Sequence, residues 1–178
     1  MNLDFFEMEG EIVNKVADSG LITISPEDYY PAGRRMSIDL GEVLFQGLIL
    51  REKDFREWIK THDWEQYKDA YVAVFCSADA IIPVWAYMLV AASLEPFVRK
   101  TVAGTQHDLE TALYQDVVAN LDLEEFRDQR VIIKGCGNLP VPDSAYVMLT
   151  EKLRPIVKSL MYGEACSTVP VFKQSRTV

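Results

Sequence analysis

A shift of 59 positions superimposes two stretches of the chain without a gap. It pairs Leu50 with Leu109, Asp63 with Asp122, Glu65 with Glu124, Asp69 with Asp128 and Val72 with Val131. It also pairs Pro83 with Pro142, Ala86 with Ala145, Tyr87 with Tyr146, Leu94 with Leu153, Pro96 with Pro155, Val98 with Val157 and Gly104 with Gly163. About three identities would arise by chance over the roughly 55 aligned positions, so an internal duplication at this period is the main constraint on the fold. Each copy, about 50–104 and about 109–163, reads as helix, turn, buried strand, proline-initiated helix and closing glycine. Tyr67 and Phe126 sit at the shared aromatic position as hydrophobic plugs, and Asp69 and Asp128 as turn-setting carboxylates. His62 breaks the repeat, because its counterpart is Leu121.

The strands of the two copies are Val72–Phe75 and Val131–Lys134. Short apolar runs bounded by loops fit central parallel strands, and the helices between them fit a crossover connection. The helices that follow open at Pro83 and Pro142, where a missing N–H is tolerated. The first is expected over Val84–Val98 and is apolar nearly all round, which implies burial on several sides or at a subunit interface. The second, expected over Asp143–Leu160, carries Glu151, Lys152, Arg154 and Lys158 on a solvated face.

Outside the repeat, Glu11–Ala17 has the spacing of a short amphipathic helix and Leu21–Ile24 that of a short strand. Ser25–Gly33 is dense in turn formers and predicts a loop or a single helical turn, whose Tyr29 and Tyr30 either line a pocket or cap the edge of a core. Arg35–Leu40 alternates polar and apolar residues, as a strand with one wet face does. Lys53–Thr61 is a helix with Phe55, Trp58 and Ile59 on one face. Glu164–Phe172 contains Pro170 and reads as an edge strand. The expectation is a single α/β domain over residues 1–178 with a mixed sheet, and with loosely ordered tails at 1–9 and 174–178.

Charge and composition exclude several partners. With 27 acidic and 18 basic residues the formal charge is −9, the wrong sign for nucleic acid or an anionic membrane surface. No apolar run approaches the roughly 20 residues a bilayer crossing needs. The acidic start Met1–Glu7 lacks the basic segment of a secretory signal, so a cytoplasmic protein is expected.

Three cysteines in a reducing compartment do not suggest a disulfide framework. If both repeat strands belong to one sheet, Cys76 and Cys136 fall at the carboxyl ends of neighbouring strands, the edge where open α/β sheets hold ligands. Cys166, at the start of the last strand, could approach the same edge. Three thiolates with His62 or Asp79 as a fourth ligand suit zinc or an iron–sulfur centre, although no Cys-x-x-Cys pair is present. Separately packed cysteines are the simpler alternative. The loops Ser77–Asp79 and Gly135–Asn138 precede helix N-termini, a usual place for phosphate, but no glycine-rich phosphate motif occurs and Asp79 would repel an anion or cap the helix. A Cys–His dyad with His62 or His107 is possible but unspecified, and no serine-nucleophile elbow is present.

Glu11–Ala17, Ser19–Ile24, Cys76–Pro83, Lys134–Cys136 and Met161–Pro170 together resemble a bacterial family, domain of unknown function 2480, over essentially the whole chain. The resemblance carries no assigned activity. It implies an accessory role beside the sulfur-mobilisation system that assembles iron–sulfur clusters, and so iron–sulfur assembly proteins as partners. The leading expectation is a metal- or iron–sulfur-binding protein that uses Cys76, Cys136, Cys166 and His62. The alternatives are a metal-free homodimeric module with the helix from Val84 as its interface, and a thiol enzyme with Cys76 or Cys136 as nucleophile.

Overall fold

The computed structural model describes residues 20–135, 137–164 and 166–175. The expected helix over Glu11–Ala17 and the expected tail at 1–9 lie outside them, as do residues 176–178 of the other tail. Among the described residues four α-helices and two sheets give mixed α/β content. The chain divides into two compact units. Among the described residues the first comprises 20–25, 123–135, 152–164 and 166–175, and the second Pro26–Asp122 and 137–151.

The second unit holds a three-stranded parallel sheet in the order β2-β3-β4, where β2 is Arg35–Asp39, β3 Tyr71–Phe75 and β4 Lys100–Ala103. Helices α1 (Glu52–Thr61) and α2 (Val84–Leu94) contribute to the larger core of this unit, and α3 (Gln106–Asn120) to a smaller one. Alternation along β2 and β3 explains the division. Ile38, Val72 and Val74 join Phe55, Ala86, Val90 and Leu94 in the larger core, while Ala73 meets Leu109 and Leu113 in the smaller.

The first unit holds a mixed sheet in the order β1-β5-β6-β7, with β1 at Leu21–Ile24, β5 at Arg130–Ile133, β6 at Ser159–Glu164 and β7 at Ser167–Lys173. Its first three strands are parallel and β7 returns antiparallel as an edge, as its Pro170 requires. Helix α4 (Asp143–Leu153) links β5 to β6 along the chain.

The two repeat strands therefore lie in different sheets, and the expectation that they are neighbours is corrected. Each copy instead supplies a parallel strand pair joined along the chain through a helix, β3 to β4 through α2 and β5 to β6 through α4. The second strand of each, β4 and β6, is short and partly exposed, and carries little apolar periodicity. α2 ends at Leu94 and α4 at Leu153, and not at Val98 and Leu160, because Pro96 and Pro155 have no N–H to continue the helix.

Backbone devices recur 59 positions apart. Tyr71 faces Lys100 across β3 and β4, and Arg130 faces Ser159 across β5 and β6. Asp69 and Asp128 both have φ of 58°. The Asp69 N–H donates to Phe97 O at 2.9 Å, and the Asp128 N–H to Ile156 O at 2.8 Å. Tyr67 and Phe126, each ending a 3₁₀ turn, are buried just before these aspartates. The paired aspartates thus hold a left-handed turn that starts each strand, a conformation Asp tolerates better than most residues. Asp69→Ala and Asp128→Ala are each expected to cost about 1 kcal/mol, while glycine at either site costs less, measured as urea midpoints.

Candidate functional site

The described residues of the second unit enclose at least two cavities. One, about 570 Å³ and the larger of these two, is lined by Tyr30, Arg35, Gln106, His107, Glu110, Pro140, Val141, Pro142 and Asp143. Its walls are placed by α3, β2 and the loop before α4. A capping box starts α3: the Thr105 N–H donates to the Asp108 carboxylate at 2.7 Å, and the Asp108 N–H to the Thr105 hydroxyl. This sets Gln106 and His107 in the first turn, with Glu110 one turn on. Gln106 Nε2 donates to the Ser37 hydroxyl at 2.6 Å and to Met36 O at 3.0 Å, which ties α3 to β2. The Leu139 N–H donates to the Glu27 carboxylate, and the Ser144 hydroxyl to Thr111 Oγ1 at 3.2 Å, so both ends of the loop carrying Pro140–Pro142 are held.

One wall of this cavity is a largely buried ion pair. Arg35 Nε donates to Glu110 Oε1 at 2.8 Å and Nη2 to Oε2 at 3.2 Å, with side chains 15% and 11% exposed. Nη1 donates to Pro31 O and Gly33 O, and the guanidinium lies 4.2 Å from the centre of the Tyr30 ring. Burial opposes the Arg35 charge, but the bond and the charge of Glu110 outweigh it and secure the cation. Burial, and then the neighbouring Glu110, push the Tyr30 hydroxyl above its ordinary range, so it stays protonated and donates to Glu110. The wall is therefore preorganised and internally neutralised. Of the two readings for the tyrosines, Tyr30 takes the pocket-lining one. Neither Arg35 nor Glu110 stood out in the sequence; the available signal was a carboxylate on the apolar face of α3, beside Leu109, Leu113 and Tyr114.

The smaller cavity, about 350 Å³, contains His62. Nε2 of His62 lies 3.1 Å from the Tyr67 hydroxyl, and its ring centre is 4.7 Å from that of Trp58 and 4.6 Å from that of Trp64. Burial lowers the His62 pKa from the usual histidine value, with the charge of Asp63 opposing. Tyr67 and Glu42 are the other titratable groups lining that space with it, apart from Asp39. Because the unfolded chain takes up the proton first, stability falls as pH drops below about 6.5 and is fully present above it. His62→Gln is expected to flatten this dependence between pH 5 and 7, read as urea midpoints from tryptophan fluorescence.

Cys76 follows β3, is half-buried against the larger core, and its thiol donates to Ala78 O at 3.5 Å. Cys166 is exposed at the turn between β6 and β7 and belongs to the first unit. Cys136 lies outside the described residues. Among the described residues no three His, Cys, Asp or Glu side chains form a group suited to a metal ion. Asp79 does not cap α2, whose N-cap is Pro83 with no side-chain cap bond. The loop after β3 already has an internal anion: Asp39 Oδ1 accepts from the Ser77 N–H at 2.9 Å and the Gly41 N–H at 2.8 Å. That carboxylate stands where the competing reading would put phosphate.

A family model described as protein of unknown function (DUF2480) matches residues 10–174. The chain belongs to this family. Comparison with curated proteins and with solved structures finds no match. In this DUF2480 member, no helix among the described residues is long and apolar enough to cross a membrane.

Proposed function

We propose that the second unit is a small-ligand-binding module whose site is the cavity beside α3. One observation carries this reading: a cavity of about 570 Å³ backed by a fixed, internally neutralised Arg35–Glu110–Tyr30 wall. Its size is that of ordinary small-molecule sites. Pro140, Val141, Pro142 and the Tyr30 ring supply apolar surface, and Gln106, His107 and Asp143 supply hydrogen-bonding groups. The ligand class that fits is a compact, mainly apolar molecule with a polar group at one end. A fragment screen read by amide chemical shifts tests it. Hits should cluster on residues 106–110 and 140–143 and disappear in Val141→Trp, and a screen with no hits there overturns it.

A second reading, a homodimeric module, is favoured by the exposed face of α2 and the segment before it. Ile81 is 95% exposed, Val84 74% and Met88 64%. Val84 and Met88, four residues apart, share one stripe of α2, and Ile81 is exposed in the segment before it. Light scattering at micromolar concentration tests it: a dimer that Met88→Glu dissociates supports the reading, and a monomer rejects it.

A metal- or iron–sulfur-binding accessory role in the cytoplasm, through Cys76, Cys136, Cys166 and His62, is a third reading. It rests on cysteine content, with Cys166 and part of Cys76 accessible, and on what the family resemblance implies. Elemental analysis of protein purified without oxygen tests it; metal content unchanged by serine at each cysteine overturns it. In the thiol-enzyme alternative, one cysteine would alkylate far faster than the others.

A further inference from the structure

The smaller cavity of the second unit differs in chemistry from the larger one. Carboxylates Asp39 and Glu42 share its lining with the rings of Trp58, Tyr67 and Phe75, and with His62. No described Lys or Arg lines it, whereas the larger cavity contains Arg35 already neutralised by Glu110. Carboxylates beside aromatic faces form the combination that attracts organic ammonium groups, because the ring quadrupole and the anions act on the same cation. A small, strongly hydrated metal ion gains little from such rings, and no cluster of three metal-ligating side chains is found among the described residues.

The charge state of the lining supports the same ligand. Burial opposes ionisation of Asp39, but the Ser77 hydroxyl and N–H and the Gly41 N–H hold its carboxyl below the usual range. His62, whose Nε2 lies 3.1 Å from the Tyr67 hydroxyl, adds a polar aromatic face to the same lining. The formal charge of −9 favours approach of a cation over that of an anion.

We propose that this cavity binds a small organic ammonium ion, with the cationic head between Glu42 and the rings of Trp58 and Tyr67. The volume of about 350 Å³ admits a head group with a short chain and little more. The proposal is independent of the ligand assigned to the cavity beside α3.

Titration of the full chain with choline and with butylammonium, read by calorimetry and tryptophan fluorescence, tests it. The neutral isostere 3,3-dimethylbutan-1-ol serves as control for choline. Choline or butylammonium should bind, and the isostere should bind at least about tenfold more weakly than choline, the factor expected for a partly desolvated cation–π contact. Glu42 is exposed, so Glu42→Gln should fold normally, shown by an unchanged urea midpoint, while weakening ammonium binding several-fold. Equal affinity for choline and its isostere, ammonium binding unchanged by Glu42→Gln, or binding of neither ammonium probe would overturn the assignment. Binding of calcium or magnesium in place of both ammonium probes would overturn it as well.

Discussion

Replacing Glu110 with alanine is expected to destabilise the second unit by about 3 kcal/mol, the cost of leaving a buried guanidinium without its carboxylate. Arg35 would lose both bonds to Glu110 and keep those to Pro31 O and Gly33 O, which are neutral acceptors. Tyr30 would lose the acceptor of its hydroxyl. Removal of both charges, as in Arg35→Met with Glu110→Leu, is expected to cost much less than the single change. Apolar groups then replace the pair, and no charge is left unpaired. The remaining loss comes mainly from the Pro31 and Gly33 carbonyls, at about 1 kcal/mol per bond. All three tryptophans, Trp58, Trp64 and Trp85, belong to the second unit, so fluorescence-detected urea unfolding reads this unit directly. Equal destabilisation by the single and double variants would show that the ion pair is not what matters there.

Phe55→Ala is expected to have the larger effect, about 3–5 kcal/mol, as for other large-to-small changes in a packed core. Phe55 is 1% exposed in the larger core, with its ring centre 5.3 Å from Trp58 and 5.8 Å from Trp85. The variant leaves a cavity beneath α1 and removes edge and tilted ring contacts that add to burial. Phe55→Leu should recover much of the loss. Because Trp58 also lines the smaller cavity, Phe55→Ala is expected to weaken ammonium binding along with stability, whereas Glu42→Gln separates the two.

Several elements were legible from residue pattern. Leu21–Ile24 is the strand expected there, α1 starts one residue earlier than expected and ends at Thr61 as read, and Pro26–Tyr29 is the single helical turn. Each has a local cause: alternation, a 3.6-residue stripe, or turn formers in a row. The shared aspartates were legible as turn-setting residues, and their positive φ gives the reason. β4 and β6 were not legible, because four to six residues of mixed polarity carry too little periodicity to separate a strand from a helix end. Arg35 and Glu110 were not legible as a pair, since 75 positions separate them and neither has a local partner that marks it.

The sequence by itself determined the α/β content, the paired turn aspartates and the family, and it shows the self-similarity at a period of 59. These follow from local preference and from self-similarity, which need no knowledge of what packs on what. Only the tertiary structure decided which strands share a sheet. β1 joins the second copy and β2 the first, so β3 and β5, the strands that precede Cys76 and Cys136 in the chain, are not neighbours in one sheet. It also decided which side chains enclose space, placing Arg35, Glu110 and the Pro140–Pro142 loop around one cavity and His62 in another. Strand partnership and cavity formation are long-range choices, settled by total apolar burial and by pairing of every backbone group. Short parallel strands with nearly the same apolar pattern do not encode those choices locally.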